Sequence, residues 1–319
     1  MGLHLRRTRR REAQWPLLAR RWFGSGCRIS DVGRDLEGEG ILLRVSADGD
    51  LIWSNRIGGD DADDLSGICL AANGDLVACG LSHLTDEAGV QHADVSVVRP
   101  TESGDVVWTR TYGGAKHGRG TSIVALGDAD FGAGFVIAVG SSDSAGHGNY
   151  DMLLLLINEA SEEIRRTYHG SSVYDYAEGL VATPDGGFAL AGFADSGSDI
   201  LDLRLILVDA DGRRRALHAL GDRRDLDYAR GLVQLPDGGF LLAGRTNVLA
   251  APGNDAWIVA ATSDAKQDWA HAVGGDGADG LNDLCLSADG EAVAVGYTTS
   301  LGSGGYDIMV ARIDLSEAP

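Results

Sequence analysis

Apolar residues in this chain fall in short blocks of 4 to 8 residues, rich in β-branched side chains and bounded by Gly, Asn and Asp. No 10-residue stretch keeps the 3.6-residue apolar period of an amphipathic helix, so the blocks predict strands. The blocks also repeat. "VATPDGGFALAG" (181–192) and "VQLPDGGFLLAG" (233–244) agree at nine of twelve positions, 52 residues apart. A glycine marker recurs with them, as "IGGD" at 57, "YGGA" at 112, "YHGS" at 168, "LGDR" at 220 and "VGGD" at 273, at spacings of 52 to 56 residues.

Between markers the order of blocks is constant. A short apolar block such as "GLVATP" is followed by a tight turn, "PDGG" or "ANGD", and then by a block ending in Gly, such as "LVACG", "FALAG" or "AVAVG". A longer polar loop precedes the third block ("YDMLLLLI", "LDLRLILV", "NDAWIVAA"), and a second tight turn leads to the fourth. The fourth block carries Trp53, Trp108 or Trp269, a placement that predicts packing between neighbouring units. Asp-Gly and Asn-Gly between two strands are strong hairpin signals. Four hairpin-linked strands in every ~50 residues are the sequence form of an all-β fold, a β-propeller of four-stranded antiparallel blades.

Six blades fit best, in units near 12–57, 58–112, 113–168, 169–220, 221–273 and 274–319. The last unit holds three strands. In the first, "RRWFGSG" stands where a second strand is expected, since Gly26 precedes Ile41 by the same 15 residues that separate Gly80 from Val95. Five blades closed by an N-terminal strand are the alternative. Residues 12–319 then form a single domain, and the basic run 1–11, "MGLHLRRTRRR", is expected to be disordered.

Charge narrows the partners. With 47 acidic and 27 basic residues the net charge is −20, which disfavours nucleic acid and favours solubility or a cationic partner. The apolar runs are far shorter than the ~20 residues of a membrane helix, so no transmembrane segment is expected. After the basic run only "WPLLA" is apolar, too short for the core of a secretory signal. Cys27, Cys69, Cys79 and Cys285 show no metal-ligand spacing, and strand parity sets Cys69 and Cys79 on opposite faces, so no disulfide is expected.

The long, varied loops join strands two and three and successive units, and a rigid frame with variable loops on one side points to function there. The candidate ligand-binding residues are His83, Asp86, Glu87, His92, Asp225 and Asp227. "GDDADD" and "GDGADG" bring Asp60, Asp63, Asp276 and Asp279 to matching places in two units, a donor set suited to calcium, which takes six to eight oxygens. Neither stretch has the distal Glu of a full calcium loop, and Asp also caps turns through its side chain, so both readings stay open. Asp94, Asp151, Asp202, Asp255 and Asp307, repeated at the start of the third strand, read as structural caps. No nucleophile elbow and no phosphate loop occurs.

The "YGG" and "VGG" markers, "DGGFLLAG", and "GSGGYDIMVARID" at 302–314 resemble the tandem propeller repeats of bacterial envelope and secreted proteins, the seven-bladed-propeller or delta-60 type. The resemblance covers about residues 30 to 319. It implies a non-catalytic binding or scaffold role in the cell envelope or outside it, toward a protein or carbohydrate ligand. An intracellular protein-interaction propeller is the alternative. An enzyme acting in a central funnel is the third reading, and glycosidase-type chemistry there would need two carboxylates about 5–10 Å apart.

Overall fold

The computed structural model describes residues 4–5, 25–29, 40–46, 48–57, 63–85, 89–113, 117–127, 134–142, 150–170, 174–195, 201–221, 227–247, 253–287, 290–302 and 304–315. Strand β1 (His4–Leu5) comes first. β2 (Ser25–Ile29), β3 (Gly40–Val45) and β4 (Leu51–Ile57) form a three-stranded sheet. The second sheet is β5 (Asp63–Leu70), β6 (Leu76–Thr85), β7 (Gln91–Pro100) and β8 (Val106–Tyr112). The third is β9 (Gly120–Leu126), β10 (Gly134–Ser142), β11 (Asp151–Asn158) and β12 (Glu163–His169). The fourth is β13 (Asp175–Ala182), β14 (Phe188–Asp195), β15 (Leu201–Val208) and β16 (Arg214–Leu220). The fifth is β17 (Tyr228–Gln234), β18 (Phe240–Thr246), β19 (Asp255–Ala261) and β20 (Gln267–Val273). The sixth joins β21 (Asp279–Leu286), β22 (Ala292–Thr298) and β23 (Asp307–Ile313) to β1.

The expected six units of antiparallel strands are therefore present, each strand paired with its neighbour in sequence. β1 lies in the basic segment for which the sequence predicts no structure. It pairs through His4 with Arg312 and Leu5 with Ala311, giving the last sheet the fourth strand its own unit lacks. β2 sits a few residues later than the degraded strand expected at "RRWFGSG", with Gly26 opposite Leu43.

One five-residue turn closes the hairpins of both kinds. In "TPDGG" the Thr183 N–H donates to Gly187 O at 2.9 Å and the Gly186 N–H to Thr183 O at 3.0 Å; Leu235 to Gly239 repeats this. The fourth turn residue must hold a positive φ, 81° at Gly186 and 92° at Gly238, which Gly adopts without steric cost. The turns between third and fourth strands use the same bonds, with Gly49, Gly104 and Gly212 at that position in three of them and Ser161 (φ 67°) and Ala265 (φ 66°) in two.

The chain divides into two compact units, residues 19–182 and residues 1–18 with 183–319. In the first, Val77, Val97, Ile123, Phe135, Ile137 and Leu155 pack between the second and third sheets, and Leu42, Leu65 and Val98 between the first and second. In the second unit, Leu241, Ile258, Leu281, Leu284, Met309 and Ile313 fill the space between the fifth and sixth sheets. Each fully buried Leu, Ile or Phe contributes about 1.5–3 kcal/mol. Third strands read as unbroken apolar runs because both faces are covered: every residue of β19 is buried. The fourth strands β4, β8 and β20 are mainly exposed, and their Trp53, Trp108 and Trp269 lie half-buried against these clusters, as the sequence predicts.

Candidate functional site

The first strands β5, β9, β17 and β21 carry a bulge at one recurring place. In β17 the pairing passes from Ala229–Gly244 to Gly231–Ala243, leaving Arg230 as the extra residue. In β21 it passes from Leu281–Gly296 to Asp283–Val295, leaving Asn282. In β5 the extra residue is Ser66, and in β9 it is Thr121. The bulge explains the glycine opposite it in the second strands β6, β18 and β22. A Cβ at Gly244 would overlap the Tyr228 carbonyl oxygen, one at Gly296 that of Gly280, and one at Gly80 that of Asp64. Bulges re-aim side chains and bend the strand that carries them.

In the unit containing residues 183–319, the re-aimed side chains meet a row of aromatic rings. Phe193, near the end of β14, lies 5.0 Å from Tyr228, the first residue of β17. The Arg230 Nε–H donates to the Tyr228 hydroxyl at 2.7 Å, and its guanidinium sits 5.3 Å from the ring centroid. Arg245, from β18, approaches the same ring at 5.1 Å and donates through Nη1 to the Tyr297 hydroxyl at 3.2 Å. Tyr297 in turn packs 5.6 Å from Tyr306, which is 70% exposed. Arg230 Nη1 reaches Asn282 Oδ1, one bulge residue touching the next, at 3.5 Å. Cation–π contacts of this kind hold guanidinium groups in place while leaving their N–H edges outward. The result is a rim of rings and guanidiniums along one edge of three consecutive sheets, from Phe193 through Tyr228 to Tyr306.

The corresponding strand ends of the unit 19–182 carry different chemistry. Arg119 pairs with Asp64 at 2.7 Å and donates to the Ser66 hydroxyl at 2.9 Å. Burial pushes the Asp64 carboxyl up from its ordinary range, against the opposing pull of Arg119 and His83. Tyr150 and Tyr174 stack at 4.9 Å and 21° between planes.

A second recurring feature lies where units meet in sequence. The third-strand aspartates face the marker glycines: a Cβ at Gly113 would overlap Asp94, one at Gly170 would overlap Asp151, and one at Gly274 would overlap Asp255. Asp279 joins Asp255 at Gly274. The first strand hooks onto the same corner, with the Asp279 N–H donating to Asn254 O at 2.6 Å and the Asp227 N–H to Leu201 O at 2.9 Å. Asp279 is fully buried; its Oδ2 accepts from Ser300 Oγ at 2.6 Å and from Gly275 N at 3.1 Å. Burial raises the Asp279 carboxyl, but hydrogen bonds from Ser300, Thr298 and the Gly275 backbone outweigh it and hold the group below its ordinary range. Asp255, 1% exposed, is raised by burial and by the charge of Asp279.

The residues singled out from sequence distribute accordingly. Asp227 is buried and its carboxylate accepts from Thr246 Oγ1 at 2.7 Å, a corner role. His83 is half-buried on β6 beside Asp64, and His92, on β7, lies 3.9 Å from Asp94. Asp60, Asp86, Glu87 and Asp225 lie outside the described residues. Of the calcium set, Asp63 is half-buried at the start of β5, Asp276 is exposed, and Asp279 is the corner group above. Among the described residues no three His, Cys, Asp or Glu side chains gather as a metal-binding group. Cys69, Cys79 and Cys285 carry thiols. The Tyr and Arg of the rim were not singled out from the sequence. The signals there are the Tyr that follows the corner Asp in "YDYAEG" and "LDYARG", and the 52-residue repeat that sets Phe193, Arg245 and Tyr297 in equivalent places.

No protein-family model and no curated protein sequence matches the chain. Solved structures do. An α-L-arabinanase from Penicillium chrysogenum, solved with arabinobiose, is 13% identical with a TM-score of 0.57, over 92% of this chain and 90% of that one. A protein of unknown function from Dyadobacter fermentans is 14% identical with a TM-score of 0.55, over 87% and 84%. At these identities the likeness shows the fold alone. The chain is an all-β protein of the β-propeller type, with six sheets and four-stranded blades.

Proposed function

We propose that the chain is a non-catalytic binding propeller, and that the rim running from Phe193 through Tyr228 and Arg245 to Tyr306 holds its ligand. The observation that carries this reading is the bulge repeated in β17 and β21, which turns Arg230 and Asn282 out beside the aromatic row. Aromatic side chains and Arg dominate recognition surfaces because they combine contact area with directed donors. Tyr306, at 70% exposure, costs apolar surface in water that a ligand would cover. The place of action proposed is the bacterial cell envelope or exterior, supported by the repeat resemblance.

The test is a glycan array probed with wild-type protein and with the Tyr306→Ala and Arg230→Gln variants. Binding to a defined set of saccharides, lost in both variants without release of new reducing ends, is the expected result. No binding, or binding undiminished by either substitution, contradicts the reading, and steady release of reducing ends makes the protein an enzyme.

A further inference from the structure

Resting on that reading of the rim, we infer that its ligand is an acidic saccharide, a sugar chain whose rings bear carboxylates. Arg245 carries the argument. Its guanidinium face lies over the Tyr228 ring and one N–H reaches the Tyr297 hydroxyl. Among the described residues no carboxylate pairs with it, whereas Arg44, Arg99, Arg119, Arg166 and Arg215 each pair with an acid: Glu102, Asp75, Asp64, Glu163 and Asp185. In a chain with 47 acidic residues against 27 basic ones, a half-buried guanidinium that meets rings and a hydroxyl in place of an acid keeps its charge for a ligand to neutralise. Its planar fork of N–H donors matches the two oxygens of a carboxylate, a geometry Lys cannot reproduce.

The neighbouring rings fix the rest of the ligand. Tyr306 is exposed and tilted 59° to Tyr297, so the pair offers two ring faces to an apolar C–H surface beside the charge. A pyranose bearing a carboxylate presents both in one unit. An acidic protein partner would bring a broad negative surface against a chain of net charge −20, and the repulsion would extend over the whole contact. A slim saccharide sets one carboxylate against the guanidinium and leaves its others in solvent, where salt screens them.

The experiment is calorimetric titration of the full chain with tetragalacturonate and with its methyl ester, the same rings without charge. The wild type, Arg245→Gln and Tyr306→Ala are compared, each with its melting temperature measured. The expected result is binding of the acid, at least about tenfold weaker binding of the ester, and a similar loss of acid binding in Arg245→Gln. Tyr306→Ala, at an exposed position, keeps its melting temperature and loses affinity for both forms. If Arg245→Gln does not fold, acid binding by the wild type that weakens as salt rises to about 0.15 M supports the inference, while salt-independent binding overturns it. Equal affinity for acid and ester, or an Arg245→Gln variant that binds as the wild type does, overturns the acidic-ligand inference and leaves the rim as a binding surface. No binding of either form to the wild type also overturns it, and the array result then decides the binding-module reading separately.

Discussion

Two buried carboxylates, Asp255 and Asp279, converge on one glycine, and their surroundings drive them apart in proton affinity. Asp279 is ringed by donors from Ser300, Thr298 and Gly275 and stays an anion; Asp255 sits beside that anion away from water. The linkage signs are opposite. The lowered Asp279 contributes stability that is present above the unfolded carboxylate pKa, about 3.9, and is lost as pH falls through its folded value. The raised Asp255 contributes stability that is complete below about pH 3.9 and is lost as pH rises through its own folded value. At pH 7 Asp255 is therefore a cost. Asp255→Asn, which keeps the shape and removes the charge, is expected to raise the melting temperature at pH 7, with the gain shrinking toward pH 4. A variant less stable than wild type at pH 7 would show instead that the Asp255 charge is needed at the corner. The third-strand aspartates were legible in the sequence as a recurring feature because they fall at a fixed place, and Asp94, Asp151 and Asp255 lie against the marker glycines. Asp227 and Asp279 were read from sequence as ligand or metal groups, because a formula of closely spaced carboxylates does not reveal that Thr246, Ser300 and backbone N–H groups already occupy them.

At the scale of the strand, two glycines per unit carry the architecture for different reasons. The glycine ending the second strand leaves room for the bulged first strand. Gly244→Ala sets a methyl group against the Tyr228 carbonyl and is expected to cost about 3 kcal/mol, since the clash is with backbone. Chemical denaturation checks it, and a loss below about 1 kcal/mol would mean that the bulge is not held where it is described. The turn glycine serves by its positive φ. Ala265 occupies that conformation with a side chain, at φ 66°, where an L-residue is strained by about 1–2 kcal/mol. Ala265→Gly gives back about 0.5–1 kcal/mol of this to unfolded-chain entropy, so a small rise in melting temperature is expected. A fall would show that the methyl group's packing outweighs the strain. Hairpins, strand order and the repeat were legible because turn chemistry and apolar alternation are local. The bulges were not, since a bulge is one extra residue whose evidence lies in the partner strand.

For the whole molecule, the proposed binding role rests on which end of the strands differs in its chemistry. Among the described residues the hairpin end repeats one five-residue turn, as at 71–75, 101–105, 183–187, 209–213 and 235–239. The opposite end varies from unit to unit: Arg230, Asn282, Tyr228 and Tyr297 in one unit, Asp64, Ser66, Arg119 and His83 in the other. The rim itself was hidden because the repeat places a different residue type at each equivalent position: Phe193, Arg245 and Tyr297 follow one another at 52 residues, as do Arg230 and Asn282. Amide hydrogen exchange with and without tetragalacturonate tests the account most directly. It predicts slowed exchange at residues 228–231, 245–247 and 296–298, with the turns 183–187 and 235–239 unchanged. Protection confined to those turns, or no protection at the rim at saturating ligand, would contradict it.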